Sequence, residues 1–240
     1  MCTCPQLSRT CWGHFFSKLF FRPSGMHCWD IHTHREGQPD SIFQAGNSKM
    51  VEEIPVSLGI HPWDLDFNWE THFEKIKREA DQNPCVLAIG EAGFDRLKGP
   101  EISLQKVAFH AQACWAARLE IPLILHCVKS HDLFLEYLKS AKNPPCIIWH
   151  GWNQKPELAA QLLPFPVFFS FGRQLLHPGS NAAKWLAACP IDRVFFETDD
   201  SELKIESIYQ AASLILQLPK ARLAEQVIAN WNTISKRKIS

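Results

Sequence analysis

Four histidines and two carboxylates in this sequence follow short apolar segments, in positions that suit the binding of divalent cations. His32 and His34 form a His-x-His pair. Residues i and i+2 of an extended strand point to the same side, so both imidazoles can bind one cation. The remaining candidates follow later apolar segments, and they are Glu91, His126, His150 and Asp199. Imidazoles and carboxylates are ligands that ions such as Zn²⁺, Mn²⁺ and Co²⁺ favour.

Six ligands of this kind are enough for two cations that share a carboxylate. A bridging carboxylate can hold two ions ~3.5–4 Å apart, where they act on the attacking and the leaving oxygen of a displacement. We expect Glu91 to be the bridge, and Asp199 also to accept a proton from the activated water. Both residues are therefore candidate catalytic groups. The expected shells are His32, His34 and Asp199 for one cation and His126 and His150 for the other.

Further candidates lie in the segments that follow the apolar runs. His61 stands before Pro62 at the end of a predicted strand, where it contacts substrate or a ligand, or else caps local backbone. Trp63 and Trp152 fall in predicted loops near the same residues. Exposed aromatic rings can stack on nucleobases, although most tryptophans pack in the core. Asp95 either orients a ligand from behind or begins a turn.

The apolar segments that precede these residues predict eight strands. They are rich in Ile, Val, Leu, Phe and Trp without sustained polar alternation, which is typical of strands buried on both faces in a parallel sheet. The predicted strands are Cys28–His32, Ser41–Ala45, Val56–Ile60, Val86–Gly90, Pro122–His126, Cys146–His150, Val167–Phe171 and Arg193–Thr198.

Helical patterns lie between many of the predicted strands. The predicted helices are Asn68–Asp81, Glu101–Leu119, Ser130–Ala141, Pro156–Leu163, Asn181–Ala188, Ile205–Leu218 and Ala221–Ser235. The first connection is short and contains Gly37 and Pro39, which disfavour a helix there. Strands alternating with helices indicate a closed (β/α)8 barrel or an open doubly wound sheet. Because metal-binding side chains follow so many strands, and only a barrel brings all strand ends to one mouth, the barrel is favoured.

Length and composition fit one soluble enzyme-sized domain. The chain has 240 residues, 25 basic and 25 acidic. A protein that holds nucleic acid by charge alone has a basic excess, so any polyanionic substrate must be held locally. The nine cysteines are scattered and odd in number, as expected for free thiols in a reducing cytoplasm. No apolar run reaches the ~20 residues of a membrane span.

The first 25 residues contain three basic residues and no acidic one. They have some features of a transit peptide, but we favour an extension outside the fold, with Met26 as an alternative start. The expected organisation is therefore an extension over residues 1–25 and a barrel domain over residues 26–240. The run Lys236-Arg237-Lys238 is expected to be a solvated tail.

The ordered motifs resemble those of the TatD family of metal-dependent hydrolases (TatD-type DNases), within the amidohydrolase-like barrels. The matching segments are Asp30-Ile-His-Thr-His34, Gly59-Ile-His-Pro62, Ile89-Gly-Glu-Ala-Gly-Phe-Asp95, Pro122-Leu-Ile-Leu-His126, His150-Gly151 and Glu197-Thr-Asp199. The resemblance implies divalent-metal-dependent hydrolysis of phosphodiesters, usually DNA, with Mg²⁺, Mn²⁺ or Zn²⁺ as the cofactor.

The chain departs from the family pattern after several of these motifs. Where the family often has Ser/Thr-Arg-Asp after the fifth strand, this chain has Cys127-Val-Lys-Ser130. Lys129 can replace the arginine as a phosphate contact, as a point charge without the bidentate fork. The loops after His150 and Asp199 differ as well. These changes leave the candidate ligands intact and open the question of substrate.

Two other functions remain consistent with the sequence. The same barrel and cation pair can hydrolyse an amide, ester or lactone of a small molecule. A metal-binding protein without catalytic activity is the third alternative, which the presence of all six ligands disfavours. We expect nucleic acid or a small phosphodiester as substrate, no membrane association, and a monomer.

Overall fold

Eight parallel strands form the centre of the molecule, in the order of the sequence. The computed structural model describes residues 26–46 and 54–240, so the predicted extension over residues 1–25 lies outside the described residues. The strands are β1 (Asp30–Thr33), β2 (Ser41–Gln44), β3 (Val56–Leu58), β4 (Val86–Asp95), β5 (Leu123–Val128), β6 (Ile147–Trp149), β7 (Val167–Phe171) and β8 (Val194–Phe196).

The sheet closes on itself between its first and last strands. Thr33 of β1 pairs with Asp199, just beyond β8. The amide of Asp199 donates to the carbonyl of His32 and the amide of His34 donates to the carbonyl of Asp199, both at 3.0 Å. The predicted (β/α)8 barrel is therefore confirmed, and its closure brings the first and last candidate ligands side by side.

Helices cover the outside of the barrel. They are α1 (Trp69–Gln82), α2 (Ile102–Leu119), α3 (His131–Ser140), α4 (Pro156–Ala160), α5 (Asn181–Leu186), α6 (Ile205–Leu216) and α7 (Lys220–Ile234). In α1 the buried residues Trp69, Phe73, Ile76 and Ala80 recur at helical spacing, which fixes the face that packs on the strands. As predicted, no helix forms in residues 34–40, between β1 and β2.

The strand interiors are apolar and buried, as their composition predicts. All ten residues of β4 are buried, including Glu91 and Asp95. The strand therefore runs five residues beyond the predicted end at Gly90, because these carboxylates face a polar site instead of solvent. In the described part of the chain, no helix has both the length and the apolar character needed to cross a membrane.

The predicted solvated tail at the carboxyl terminus is wrong for Arg237. Its guanidinium donates to the carbonyls of Ala80 at 2.6 Å and Asn83 at 3.0 Å, and also to that of Val86. These carbonyls lie at the end of α1 and the start of β4, so the guanidinium satisfies acceptors that a helix end leaves open. The tail is part of the base of the barrel, the end formed by the strand amino termini.

Candidate metal centre

The six predicted ligands meet at the carboxyl ends of the strands, around the side chain of Glu91. Its Oε1 atom lies 3.2 Å from Nε2 of His32 and 3.0 Å from Nε2 of His34. Oδ1 of Asp199 is 3.6 Å and 3.5 Å from the same two nitrogen atoms. One oxygen of Glu91 therefore faces two imidazoles at the end of β1, and the carboxylate of Asp199 after β8 approaches the same two imidazoles. We call this set the outer half of the centre.

The second oxygen of Glu91 faces a different set of imidazoles. Its Oε2 atom lies 2.9 Å from Nε2 of His150 and 3.4 Å from Nδ1 of His126. Nε2 of His61 is 3.7 Å away from it. This inner half is the more enclosed one, since the side chains of His126 and His150 are 11% and 10% exposed whereas that of His34 is 44% exposed.

The buried nitrogen atoms of the centre fit divalent cations. Nε2 of His32, which faces Glu91, is buried and has no hydrogen-bond partner among the described residues. Buried polar atoms are almost always paired, and here the donor atoms converge on common points. Groups of three with ligand atoms within 4.8 Å of one another include His32, His34 and Glu91, and also His61, Glu91 and His126. The donor set suits borderline divalent ions.

Electrostatics of the protein alone show how strongly the centre attracts positive charge. Burial opposes ionisation of Glu91, but His150 and His32 hold its pKa well below the usual range. Burial would likewise lower the pKa of His32, yet the carboxylates of Glu91 and Asp199 outweigh it and raise the pKa to about 9. Asp199 is buried enough to favour its neutral form, but His32 lowers its pKa to about 2. The carboxylates are thus ionised at neutral pH.

Two further carboxylates stand behind the imidazoles of the inner half. Oδ2 of Asp95 lies 3.4 Å from Nε2 of His126. Oε1 of Glu197 lies 3.7 Å from Nδ1 of His150 and accepts a hydrogen bond from the amide of Gly151. In each case the carboxylate faces the nitrogen that points away from Glu91, an arrangement that orients metal-binding histidines.

Glu197 was not singled out from the sequence, although it belongs to the Glu-Thr-Asp motif. It is fully buried, and its Oε2 atom has no hydrogen-bond partner among the described residues. The available signal was a carboxylate two residues before Asp199, at strand spacing and directly after the apolar segment of β8. A carboxylate in that position faces the barrel interior together with the ligand.

The predicted substrate contacts differ in their distance from the centre and in their exposure to solvent. His61 borders the inner half; burial lowers its pKa to about 3, and the amide of Trp63 donates to its Nδ1 atom at 3.1 Å. Trp63 is exposed at the mouth. Lys129 is also exposed, just after β5, and its backbone carbonyl accepts a hydrogen bond from Arg96.

Trp152 does not reach the mouth. It is fully buried, with its ring 4.9 Å from that of Trp149 and 4.8 Å from that of Phe169. The sequence-based placement of Trp152 in a substrate-facing loop is therefore corrected: the residue packs in the core beside β6 and β7. Burial of a large aromatic surface is the stronger effect here.

Comparison with known proteins identifies the family of this chain. The family profile described as TatD related DNase matches residues 24–234. The uncharacterized metal-dependent hydrolase YjjV of Escherichia coli is 25% identical over 64% of this chain and 61% of its own length. The 3'-5' ssDNA/RNA exonuclease TatD of Klebsiella pneumoniae is 30% identical over 60% of this chain and 56% of its own. The chain thus matches about three fifths of the length of these curated relatives.

A solved structure shares the fold over almost its whole length. The crystal structure of YjjV, a TatD homolog from Escherichia coli, superposes with a TM-score of 0.73 at 18% identity, and covers 88% of this chain and 99% of that one. At that identity the likeness bears on the fold alone. Since the family profile extends over most of the chain, from residue 24 to residue 234, the chain belongs to the TatD-related DNase family.

Proposed function

We propose that this protein is a divalent-metal-dependent phosphodiesterase that cleaves nucleic acid with a pair of cations bridged by Glu91. The observation that carries the proposal is that the two side-chain oxygens of Glu91 face different histidines. Oε1 faces His32 and His34 at 3.2 and 3.0 Å, and Oε2 faces His150 at 2.9 Å. A carboxylate in this position would be able to bridge two divalent cations.

The residues of the centre have different roles in the proposed hydrolysis. Two divalent cations held here would lower the pKa of water and offset charge on the phosphoryl oxygens. Asp199 is ionised and its side chain is 32% exposed, so its Oδ1 atom can accept the proton of an attacking water. Asp95 and Glu197 hold the imidazoles of the inner half in the orientation that binding requires.

The proposed substrate is single-stranded nucleic acid, the class named for several relatives. The chain has a formal net charge of zero, so it lacks the basic excess by which a protein holds a long polyanion through charge alone. Local contacts at the mouth must supply the affinity instead. Lys129 is one such contact, as an exposed ammonium close to the end of β5.

A substrate panel tests this proposal. Purified protein is incubated with Mg²⁺, Mn²⁺ or Zn²⁺ and offered single-stranded DNA, RNA, a chromogenic phosphodiester, an amide and a lactone. We expect metal-dependent release of product from the phosphodiesters, abolished by a chelator and by Asp199→Asn. Asp200→Asn is the matched control, because Asp200 is a neighbouring carboxylate that pairs with Arg173 at 3.2 Å outside the centre. Turnover of the lactone or amide alone would refute the phosphodiesterase assignment.

We further propose that the barrel domain of residues 26–240 works as a monomer in the cytoplasm. The support for the compartment is the state of its cysteines. Cys28, Cys127 and Cys189 are buried thiols, and burial raises the pKa of Cys28 to about 11 and that of Cys189 to about 12. Such thiols are inert packing groups suited to a reducing compartment. Size-exclusion chromatography with light scattering tests the monomer, and localisation of the tagged full chain tests the compartment.

A further inference from the structure

An exposed tryptophan stands directly beside the inner half of the centre. Trp63 is 45% exposed. The centre of its ring is 4.6 Å from that of His61 and 5.5 Å from that of His126. An aromatic side chain that remains open to solvent next to a polar site is available for a ligand with a flat apolar face.

The indole is held rigidly. Its Nε1 atom donates to Oδ2 of Asp95 at 2.7 Å, the same oxygen atom that faces His126. The backbone is fixed as well: a Cβ atom at Gly99 would lie 2.5 Å from the carbonyl oxygen of Pro62, so the two loops pack backbone against backbone. The ring therefore needs little ordering when a ligand binds, which lowers the entropic cost of association.

The loop that follows β4 is ordered by hydrogen bonds from α2. The side chain of Gln105 accepts from the amide of Asp95 at 2.8 Å and donates to the carbonyl of Pro100 at 2.8 Å. This loop carries Lys98, whose ammonium lies 3.6 Å from the centre of the Trp63 ring. The mouth thus presents an aromatic surface and a cation on one rigid support.

We infer that Trp63 and Lys98 form a nucleobase subsite, in which a base takes the place of the Lys98 ammonium over the indole and the displaced ammonium contacts the phosphate of the same strand. Stacking accepts any base, since every base has a π-face. It also supplies affinity that a chain without net charge cannot obtain from the phosphates alone. The inference rests on the proposed function, and it adds that the enzyme recognises the base as well as the phosphodiester.

Binding of two small phosphates tests the subsite without any turnover. Thymidine 5′-monophosphate and 2-deoxyribose 5-phosphate share the sugar phosphate, and only the first has a base. We expect the Mn²⁺-loaded protein to bind the nucleotide ~5- to 150-fold more tightly, because stacking of a base contributes about 1–3 kcal/mol. Isothermal titration calorimetry measures both dissociation constants.

Three variants locate the effect. Trp63→Leu should bind both phosphates with the same affinity, and Trp63→Phe should retain part of the preference because it keeps an aromatic face. Phe67→Leu is the matched control: Phe67 is a fully exposed aromatic residue on the same connection between β3 and α1. The Phe67→Leu variant should behave as the wild type. Circular dichroism and the bound-metal content of each variant exclude a loss of fold or of cations.

The outcomes separate this inference from the proposed function. A preference for the nucleotide that survives in Trp63→Leu, or no preference in the wild type, overturns the subsite. Phosphodiester hydrolysis measured on the same samples decides the proposed function independently. A protein that prefers the nucleotide through Trp63 but hydrolyses no phosphodiester would keep the subsite and lose the activity.

Discussion

The two ends of the barrel differ in whether their buried polar side chains have hydrogen-bond partners. At the base, Trp29 Nε1 donates to the carbonyl of Ser240 at 3.2 Å, Trp231 Nε1 donates to that of Arg237 at 2.9 Å, and Arg237 itself donates to several carbonyls. At the mouth, Nε2 of His32 faces Glu91 at 3.2 Å and has no hydrogen-bond partner in the part of the chain that the structure describes. The base is satisfied by the chain itself, whereas the mouth is built to be completed by a ligand.

The difference separates stability from function along the barrel axis. An unpaired buried polar group costs roughly 1–3 kcal/mol, and at the centre a bound cation would offset that cost. Function at the carboxyl ends and stability at the amino ends is the usual division in (β/α)8 barrels. Substitutions at the mouth should therefore reduce chemistry, and those at the base should reduce folding free energy.

The largest effect is expected for Glu91→Gln. The amide keeps the volume of the side chain but cannot bridge two cations, so several kcal/mol of charge stabilisation are lost, or roughly a 10³-fold fall in kcat/KM. Steady-state kinetics on a phosphodiester measures it, with circular dichroism to verify the fold. A rate within tenfold of the wild type would show that Glu91 is not the bridge.

A smaller effect at the mouth is expected for Glu197→Gln. The amide oxygen can still accept from the amide of Gly151, but the negative charge behind His150 is gone. Loss of such a partner lowers metal affinity by about 10- to 100-fold. Calorimetric titration with Mn²⁺ measures the affinity, and Asp200→Asn is again the control, since its exposed carboxylate lies on the same connection after β8. Equal Mn²⁺ affinities for Glu197→Gln and the wild type would show that Glu197 does not support metal binding.

At the base, Arg237→Ala should destabilise the fold and leave the chemistry intact. It removes charge-assisted hydrogen bonds to Ala80 and Asn83 and exposes their carbonyls, which should cost about 2–3 kcal/mol. Urea unfolding measures this, and the activity per folded molecule should be unchanged. Lys236→Ala is the control: Lys236 forms an exposed ion pair with Glu120, typically worth under ~1 kcal/mol. A similar loss of stability in both variants would contradict the assigned role of Arg237.

The smallest effect is a difference in pH dependence between metal-free and metal-loaded protein. The pKa of His32 rises from 6.5 to about 9 in the metal-free fold, as Glu91 and Asp199 outweigh the effect of burial. Its contribution to stability is therefore fully present below pH 6.5 and is lost as the pH rises through 9. Cation binding requires the neutral imidazole, so the stabilisation by metal should grow over the same range. Between pH 6.5 and 9, thermal unfolding with chelator should show stability that falls with pH, whereas with saturating Mn²⁺ the contribution of His32 should not change with pH. Parallel slopes would contradict the assignment of His32 as a ligand.

Strand positions and the candidate ligands follow from local pattern, and this is why the strands and the residues that meet at the centre could be predicted. The predicted strand Val167–Phe171 has the same bounds in the structure. The His-x-His pair, His126 in β5 and His150 after β6 are recognisable because imidazoles interrupt or follow apolar segments. Periodicity and residue type are properties of a few neighbouring residues.

The features that the sequence did not reveal depend on contacts between distant parts of the chain. Trp152 follows a strand as a loop residue does, and only the packing of Phe169 and Trp149 shows that it belongs to the core. Arg237 lies in a basic run, and its acceptors are about 150 residues earlier in the chain. The sequence did not indicate that β4 extends to Asp95, because carboxylates after an apolar segment usually mark a turn unless their buried partners are known.

The most direct test of the central claim is the number of divalent cations that one chain binds, measured by calorimetry and elemental analysis on the wild type and on Glu91→Gln. If Oε1 and Oε2 of Glu91 serve two cations, the wild type binds two equivalents and the substitution weakens both binding events. A single equivalent in the wild type, or a Glu91→Gln variant in which one event is weakened and the other keeps its affinity, would contradict the shared bridge.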